Sequence, residues 1–199
     1  MEKVYRQYLD QPELYKQYKD QQPVIFSTPL WHFKNELPKG VDKWVRSYRQ
    51  KNPKSSVFSN RGGYQSKQQP FDKFPYVMHI RNMLETFEPF KYGSCKFRID
   101  GWWLNINGKG DYNVPHTHPG VDLAAIWYIT DNGGLLYLQD PLIMSRSNLY
   151  SHIFKRPSNI RVNAAAGDLL IFPADVPHSV EQHTSDTPRV SVSFNLVRN

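Results

Sequence analysis

The sequence predicts an α+β protein, mainly β, in which a sandwich or squashed barrel follows two helices. From about residue 93 onward, short strand-forming runs alternate with turn signals at close intervals. Ahead of them, two stretches repeat apolar residues at helical spacing. A length of 199 residues with 39% hydrophobic and 14% aromatic side chains supplies one sizeable core rather than two.

Residues 1–22 are polar, rich in Gln, Lys, Tyr and Asp, and read as an N-terminal extension ahead of a single domain over 23–199. PVIFSTPLWHF (23–33) is an extended lead-in, with proline bounding its apolar centre. Val41, Trp44, Val45 and Tyr48 predict an amphipathic helix over about 40–52; Val77, Ile80, Met83 and Leu84 predict another over about 74–86. Between them, NPKSSVFSNRGGYQSKQQP (52–70) is loop material, dense in Ser, Asn, Gly and Pro. The predicted strands are 95–107, 123–130, 134–140, 160–164, 168–172, 178–182 and 189–197. DNGG (131–134), AAGD (165–168) and HTSDTP (183–188) are hairpin-type breaks.

Along 95–107 the apolar phase changes. Phe97 and Ile99 alternate with polar neighbours, but after Gly101 the apolar residues Trp102, Leu104 and Ile106 occupy the other parity. A one-residue bulge at Asp100-Gly101 repairs the register and turns Trp103, Asn105 and Asn107 to one face.

Gly 11 and Pro 15 are too few for a fibrous protein, and no stretch approaches the ~18 apolar residues of a membrane span. The lone Cys95 permits no intramolecular disulfide, and the polar N-terminus has no signal-peptide core, so the cytoplasm is the expected location. The net charge of +7 comes from basic residues scattered through 39–54, 61–73 and 91–109. That is the pattern of a mildly basic solvated surface rather than a nucleic-acid footprint.

Three histidines stand where a β-fold could gather them: His116 and His118 in PHTHPG, and His178 in FPADVPHSV. Two His one residue apart at a strand end can both face a metal when Pro119-Gly120 turns the chain. Three imidazoles suit Fe, Zn, Cu or Ni and leave open positions for chemistry. Pairing about HTSDTP sets Arg189 nearly opposite His178. From there Arg189, Ser191, Ser193 and Asn195 share one face, and Val190, Val192, Phe194 and Leu196 the other. A guanidinium beside a metal position can hold one carboxylate of a short diacid while the metal holds the other end, with Ser191 donating a second hydrogen bond. This describes a 2-oxoglutarate site. His32, His79, His152 and His183 have no such pattern.

The order His116-Thr117-His118, then His178, then Arg189-Val190-Ser191 resembles the iron and co-substrate pattern of the Fe(II)/2-oxoglutarate-dependent oxygenases. More narrowly, SNRGGYQS (59–66), WLNINGKGDYNVPHTHPG (103–120) and GDLLIFPADVPHSV (167–180) are similar to a prolyl-hydroxylase-like group of such oxygenases in bacteria and their phages, over roughly 23–197. The resemblance implies a double-stranded β-helix, a jelly-roll or cupin-like barrel, with the N-terminal helices packed on its outer face. It implies Fe(II), 2-oxoglutarate and O2 as cofactor and co-substrates, with His116 and His178 as iron ligands. Position 118 departs from the wider pattern, which has a carboxylate there. The third ligand is then His118, ranked first, or Asp122, or water; a neutral ligand leaves the metal more positive and strengthens binding of the anionic co-substrate. Arg189 and Ser191 carry over to the distal carboxylate of 2-oxoglutarate, Tyr128 to the same carboxylate, and Asn105 to a polar co-substrate contact. Trp103 and Tyr112 are candidate walls for the primary substrate.

The implied reaction hydroxylates a primary substrate while 2-oxoglutarate is decarboxylated to succinate, in the cytoplasm of the cell or, for a phage-encoded chain, of its host. That substrate is left open between a protein prolyl group, a free amino acid and another metabolite, as is the oligomeric state. The loops 55–72 and 141–160 are where it would be decided. The rival readings are a cupin-type metalloenzyme that does not use 2-oxoglutarate and a non-catalytic or virion-associated β-barrel.

Overall fold

The computed structural model describes residues 28–85, 87, 97–131, 135–141 and 159–199. The expected N-terminal extension, Cys95, His152, the DNGG glycines and nearly all of the 141–160 loop lie outside them.

Both expected helices form. In α1 (Val41–Lys51), Val41 and Val45 are buried and Trp44 and Tyr48 pack beside them; Asp42 and Arg46 join one turn apart on the solvent side at 2.8 Å. In α2 (Val77–Leu84), Ile80, Met83 and Leu84 are buried. These apolar stripes cover one face of the larger of two antiparallel sheets.

That sheet runs in the order β1 (Trp31–Phe33), β10 (Leu169–Pro173), β7 (Leu123–Tyr128), β12 (Arg189–Arg198), β5 (Phe97–Asn107), β3 (Tyr64–Gln65), with β4 (Gln69–Pro70) also on β5. The smaller sheet runs β2 (Asn60–Arg61), β6 (Tyr112–His116), β11 (His178–Val180), β8 (Leu136–Gln139), β9 (Asn159–Val162). From β5 to β8, and again from β9 to β12, the chain passes from one sheet to the other at each turn. This is the interleaving of a double-stranded β-helix.

Burial explains the strand compositions. At the centre of the larger sheet, β7 and β10 are apolar on both faces. Ala125, Trp127, Leu169 and Ile171 join the core under the helices, while Ala124, Tyr128, Leu170 and Phe172 join a second core with Leu136, Leu138 and Val162 of the smaller sheet. By contrast, β5 and β12 pack into the core on the helix side, through Trp102, Leu104, Val192 and Phe194. Their other face looks into a cavity between the sheets. The expected bulge is present: Asn195 pairs with Gly101 and Leu196 with Ile99, so Asp100 is the extra residue.

Three expectations need correction. The 52–70 segment contributes short strands β2, β3 and β4. Gly62 and Gly63, at φ 70 and 63, carry the chain there from the smaller sheet to the larger. A Cβ on Gly63 would stand 2.9 Å from the Ile106 carbonyl, so only glycine fits without a shift. Next, YNVPH forms strand β6, although its polar residues and proline gave no strand signal. Lastly, HTSDTP is not a hairpin: β11 pairs with β6 and β8, and β12 with β5 and β7. Arg189 lies beside Asn107, not opposite His178. AAGD likewise links strands of different sheets, and there Asp168 accepts hydrogen bonds from the Ala165 backbone (2.9 Å) and from His32 (2.7 Å), which gives His32 a structural partner.

Candidate active site

His116 ends β6 and His178 begins β11, and antiparallel pairing sets them directly opposite one another with rings 4.2 Å apart. His118 is turned in by Pro119-Gly120, Gly120 adopting φ 77; its ring lies 5.4 Å from His116 and 5.1 Å from His178. One ligating nitrogen of each histidine lies within 4.8 Å of the others.

Hydrogen bonds decide which nitrogen each ring presents. His116 Nδ1 donates to the Val114 carbonyl (2.9 Å) and His178 Nδ1 to the Val176 carbonyl (2.9 Å), each two residues back along the chain. His118 Nδ1 donates to the side-chain oxygen of Asn195 on β12 (2.8 Å). With every Nδ1 carrying a proton, every Nε2 keeps its lone pair, the form a metal binds. Burial, the main cause for all three, pushes each pKa below the ordinary histidine value; His178, with His116 also beside it, falls to about 3. The rings are neutral near pH 7. Phe172 and Trp103 wall the group through edge-on or tilted contacts with His178 and His118.

The cavity the triad faces has a volume of about 510 Å3. On its far wall Arg189 is only 4% exposed. One terminal nitrogen donates to Asn107 Oδ1 (3.3 Å), and its Nε has no hydrogen-bond partner. Among the described residues, no Asp or Glu lines the cavity. A buried guanidinium without a counter-ion is costly, and an acidic ligand would relieve it.

Sheet register places the neighbours. Ser191, two residues along β12, sits between Asn105 of β5 and Tyr128 of β7, and all three line the cavity. Burial, partly offset by the Arg189 charge, pushes the Tyr128 hydroxyl up to about 12, so it stays a hydrogen-bond donor. Asn105 donates to Ser193 Oγ at 3.0 Å. Trp103 lines the cavity.

Two sequence candidates are not brought in. Tyr112 is 40% exposed and does not line the cavity. The Asp122 carboxylate is held outside by Arg198, through its Nε (2.7 Å) and backbone N–H (2.9 Å). From the 55–72 loop named above, Ser56, Phe58, Ser59, Gln65, Lys67 and Gln68 line the cavity, and the structure adds Asn195 as the partner of His118. The alternation along β12 had put Asn195 on the correct face, but its hydrogen bond crosses 77 residues of sequence and leaves no local signal.

An interleaved two-sheet barrel that sets a histidine triad across from a buried, acid-seeking arginine defines the class: this is a 2-oxoglutarate-dependent dioxygenase using Fe(II), 2-oxoglutarate and O2. Residues 101–195 match the family described as "Putative 2OG-Fe(II) oxygenase". Among solved structures, the chain is similar to the non-heme α-ketoglutarate-dependent carbocyclase SnoK from nogalamycin biosynthesis (13% identity, 96% of this chain and 84% of that one, TM-score 0.60). HygX from Streptomyces hygroscopicus, with nickel and 2-oxoglutarate bound, is similar at 12% identity over 95% of this chain and 87% of its own, TM-score 0.59. A Pseudomonas putida prolyl-4-hydroxylase is similar at 13% over 87% and 94%, TM-score 0.57. At these identities the structural likeness shows the fold. No curated protein matches the sequence. The family match supports the oxygenase reading over the cupin-type and non-catalytic ones. No helix among the described residues is long and apolar enough to cross a membrane.

Proposed function

We propose that this protein hydroxylates a C–H bond of its primary substrate, in the manner of prolyl hydroxylases, with His116, His118 and His178 holding the iron through Nε2. On this reading Arg189, Ser191 and Tyr128 bind the distal carboxylate of 2-oxoglutarate, and Asn105 supplies a further polar contact. The observation that carries it is the buried Arg189 guanidinium, without an acidic partner among the described residues, in the same cavity as three Nε2 lone pairs.

The donor set fits the metal: three neutral imidazoles suit Fe(II) and leave other positions open to ligands. Fe(II) bound there supplies the redox chemistry that couples decarboxylation of 2-oxoglutarate to succinate with transfer of an O2 oxygen to the substrate. The residues of the chain do the rest. Two carbonyls and one amide hold the imidazoles in one tautomer. Arg189 orients the co-substrate by a charge-assisted fork, the Ser191 and Tyr128 hydroxyls donate to the same group, and Trp103 and Phe172 keep the triad's surroundings apolar. With His118 in place of a carboxylate, the protein contributes no negative charge to the metal, which favours the dianionic co-substrate. The domain is read as 23–199 and the location as cytoplasmic, as the sequence suggests.

The test is thermal unfolding of the metal-free protein under anaerobic conditions with Mn(II) in place of Fe(II). Mn(II) is expected to raise Tm, and 2-oxoglutarate to add a further rise only when Mn(II) is present. At a hundredfold excess over Kd each ligand contributes about 2.7 kcal/mol. A melt unmoved by Mn(II) would refute the assignment of the triad. Asn195→Ala supplies a second check. Without the acceptor that fixes its tautomer, His118 is expected to lose hold and Mn(II) affinity to fall roughly 10–100-fold, measured by calorimetry, as happens when outer partners of ligating histidines are removed.

A further inference from the structure

The row of cavity-facing residues that ends at Tyr128 continues past the co-substrate contacts to the edge of the larger sheet. Gln65 of β3 pairs with Asn105, Asn105 with Ser191, and Ser191 with Tyr128. Strands lie about 4.8 Å apart, so Gln65 is about 10 Å from Ser191 and outside the group of residues that Arg189 organises. Its side chain is nine-tenths buried, at 7% exposure, and lines the cavity. While its backbone is bonded to Ser55 and Ser56, its carboxamide meets no hydrogen-bonding partner among the described residues. An amide that opens onto a cavity with its donors and acceptor not engaged by protein is a place where a ligand can make those bonds.

Lys67 is two residues further on the same face, where β3 leaves the sheet for the solvent, and it lines the cavity mouth. Ser66 between them faces the other way, accepting from the Leu104 backbone N–H at 3.0 Å. Lys67 has no ion-pair partner among the described residues, and the cavity wall carries no carboxylate. Charge then decides the ligand class. The two positive charges of the metal and the two negative charges of 2-oxoglutarate balance, and three neutral histidines add none. With Arg189 and Lys67 added, the lining carries net positive charge, and Lys67 is the cation that 2-oxoglutarate does not engage, a field that attracts an anion and repels a cation. Phe58, 72% exposed, adds an apolar surface at the same mouth. A volume of about 510 Å3 is that of a small-molecule site rather than a groove for a folded partner.

We propose that the primary substrate is a small organic acid, its acid group held by Lys67 at the mouth and a neutral hydrogen-bonding group read by the buried carboxamide of Gln65. This rests on the oxygenase reading of the cavity and adds the substrate class to it.

The experiment measures succinate release by the full chain with Fe(II), 2-oxoglutarate and O2. Its probes are a panel of matched triplets that share one carbon skeleton as carboxylate, primary amide or amine. Carboxylates are expected to stimulate turnover at least tenfold over their matched amides and amines. Lys67→Glu is expected to reverse that preference towards amines. Gln65→Leu is expected to lower kcat/KM for the best acid roughly tenfold, the loss of one buried hydrogen bond; Gln65→Asn, which keeps the amide, is expected to lose less. Equal stimulation by amides or amines, no stimulation by any acid, or an unchanged preference in Lys67→Glu would each overturn the proposal. The Mn(II) and 2-oxoglutarate melts on the same preparation separate the two levels: intact melts without acid preference sink this inference alone, while melts that do not respond sink the oxygenase assignment beneath it.

Discussion

Replacing Arg189 with alanine is expected to abolish the stabilisation that 2-oxoglutarate adds to the Mn(II)-loaded protein, while Mn(II) alone still stabilises. The guanidinium is 4% exposed and no Asp or Glu among the described residues lines its cavity, so its charge is available to the distal end of the diacid. Hydrogen bonds to charged groups contribute about 1.5–3 kcal/mol each, and losing a bidentate pair should weaken 2-oxoglutarate roughly a hundredfold or more. The same substitution has a second signature in the ligand-free protein. Because Arg189 is buried with an orphaned Nε, its removal takes away an uncompensated charge. The metal-free melt is therefore expected to hold or rise, unlike that of an ordinary buried truncation. Arg189→Lys should fall in between, since an ammonium offers a point charge without the planar fork. Retention of the full 2-oxoglutarate response in Arg189→Ala would refute the role given to this residue.

His178→Ala is expected to remove both responses together. His178 is opposite His116 across a two-strand ladder and is the most deeply buried of the three ligand candidates. Losing one of three imidazoles should cost more than the roughly 10–100-fold that outer-partner changes cost, and 2-oxoglutarate depends on the metal for its other end. Asp122→Ala serves as the contrast. Its carboxylate is engaged by Arg198 outside the cavity, so the Mn(II) response is expected to survive. His118→Ala should resemble His178→Ala. If instead Asp122→Ala lost the metal and His118→Ala kept it, the third ligand would have to be reassigned.

The parts of this fold that were legible in the sequence are those whose cause is local. Helical spacing of Val41, Trp44, Val45 and Tyr48 predicts α1 because a periodic apolar stripe has to be covered. The phase change around Gly101 predicts the bulge, since side chains alternate with period two and one extra residue inverts them. The same period sorts β12 into a core face and a cavity face. What escaped were pairings between distant segments. A turn signal such as HTSDTP marks where the chain reverses, but whether the next strand joins the same sheet depends on every other strand competing for that edge.

By itself the sequence determined the candidate residue types and, along β5 and β12, the face on which Arg189, Ser191 and Asn105 sit, with the bulge that turns Asn105 inward. Only the tertiary structure decided how they meet. His178 and Arg189 come together across the gap between two sheets, not across one ladder. His118 owes its tautomer to Asn195, 77 residues away, and the polar segment Ser56–Gln68 becomes a cavity wall because Gly62 and Gly63 carry it from one sheet to the other. Period and propensity act over a few residues, whereas a site between two sheets is closed by contacts whose sequence separation leaves no periodic trace.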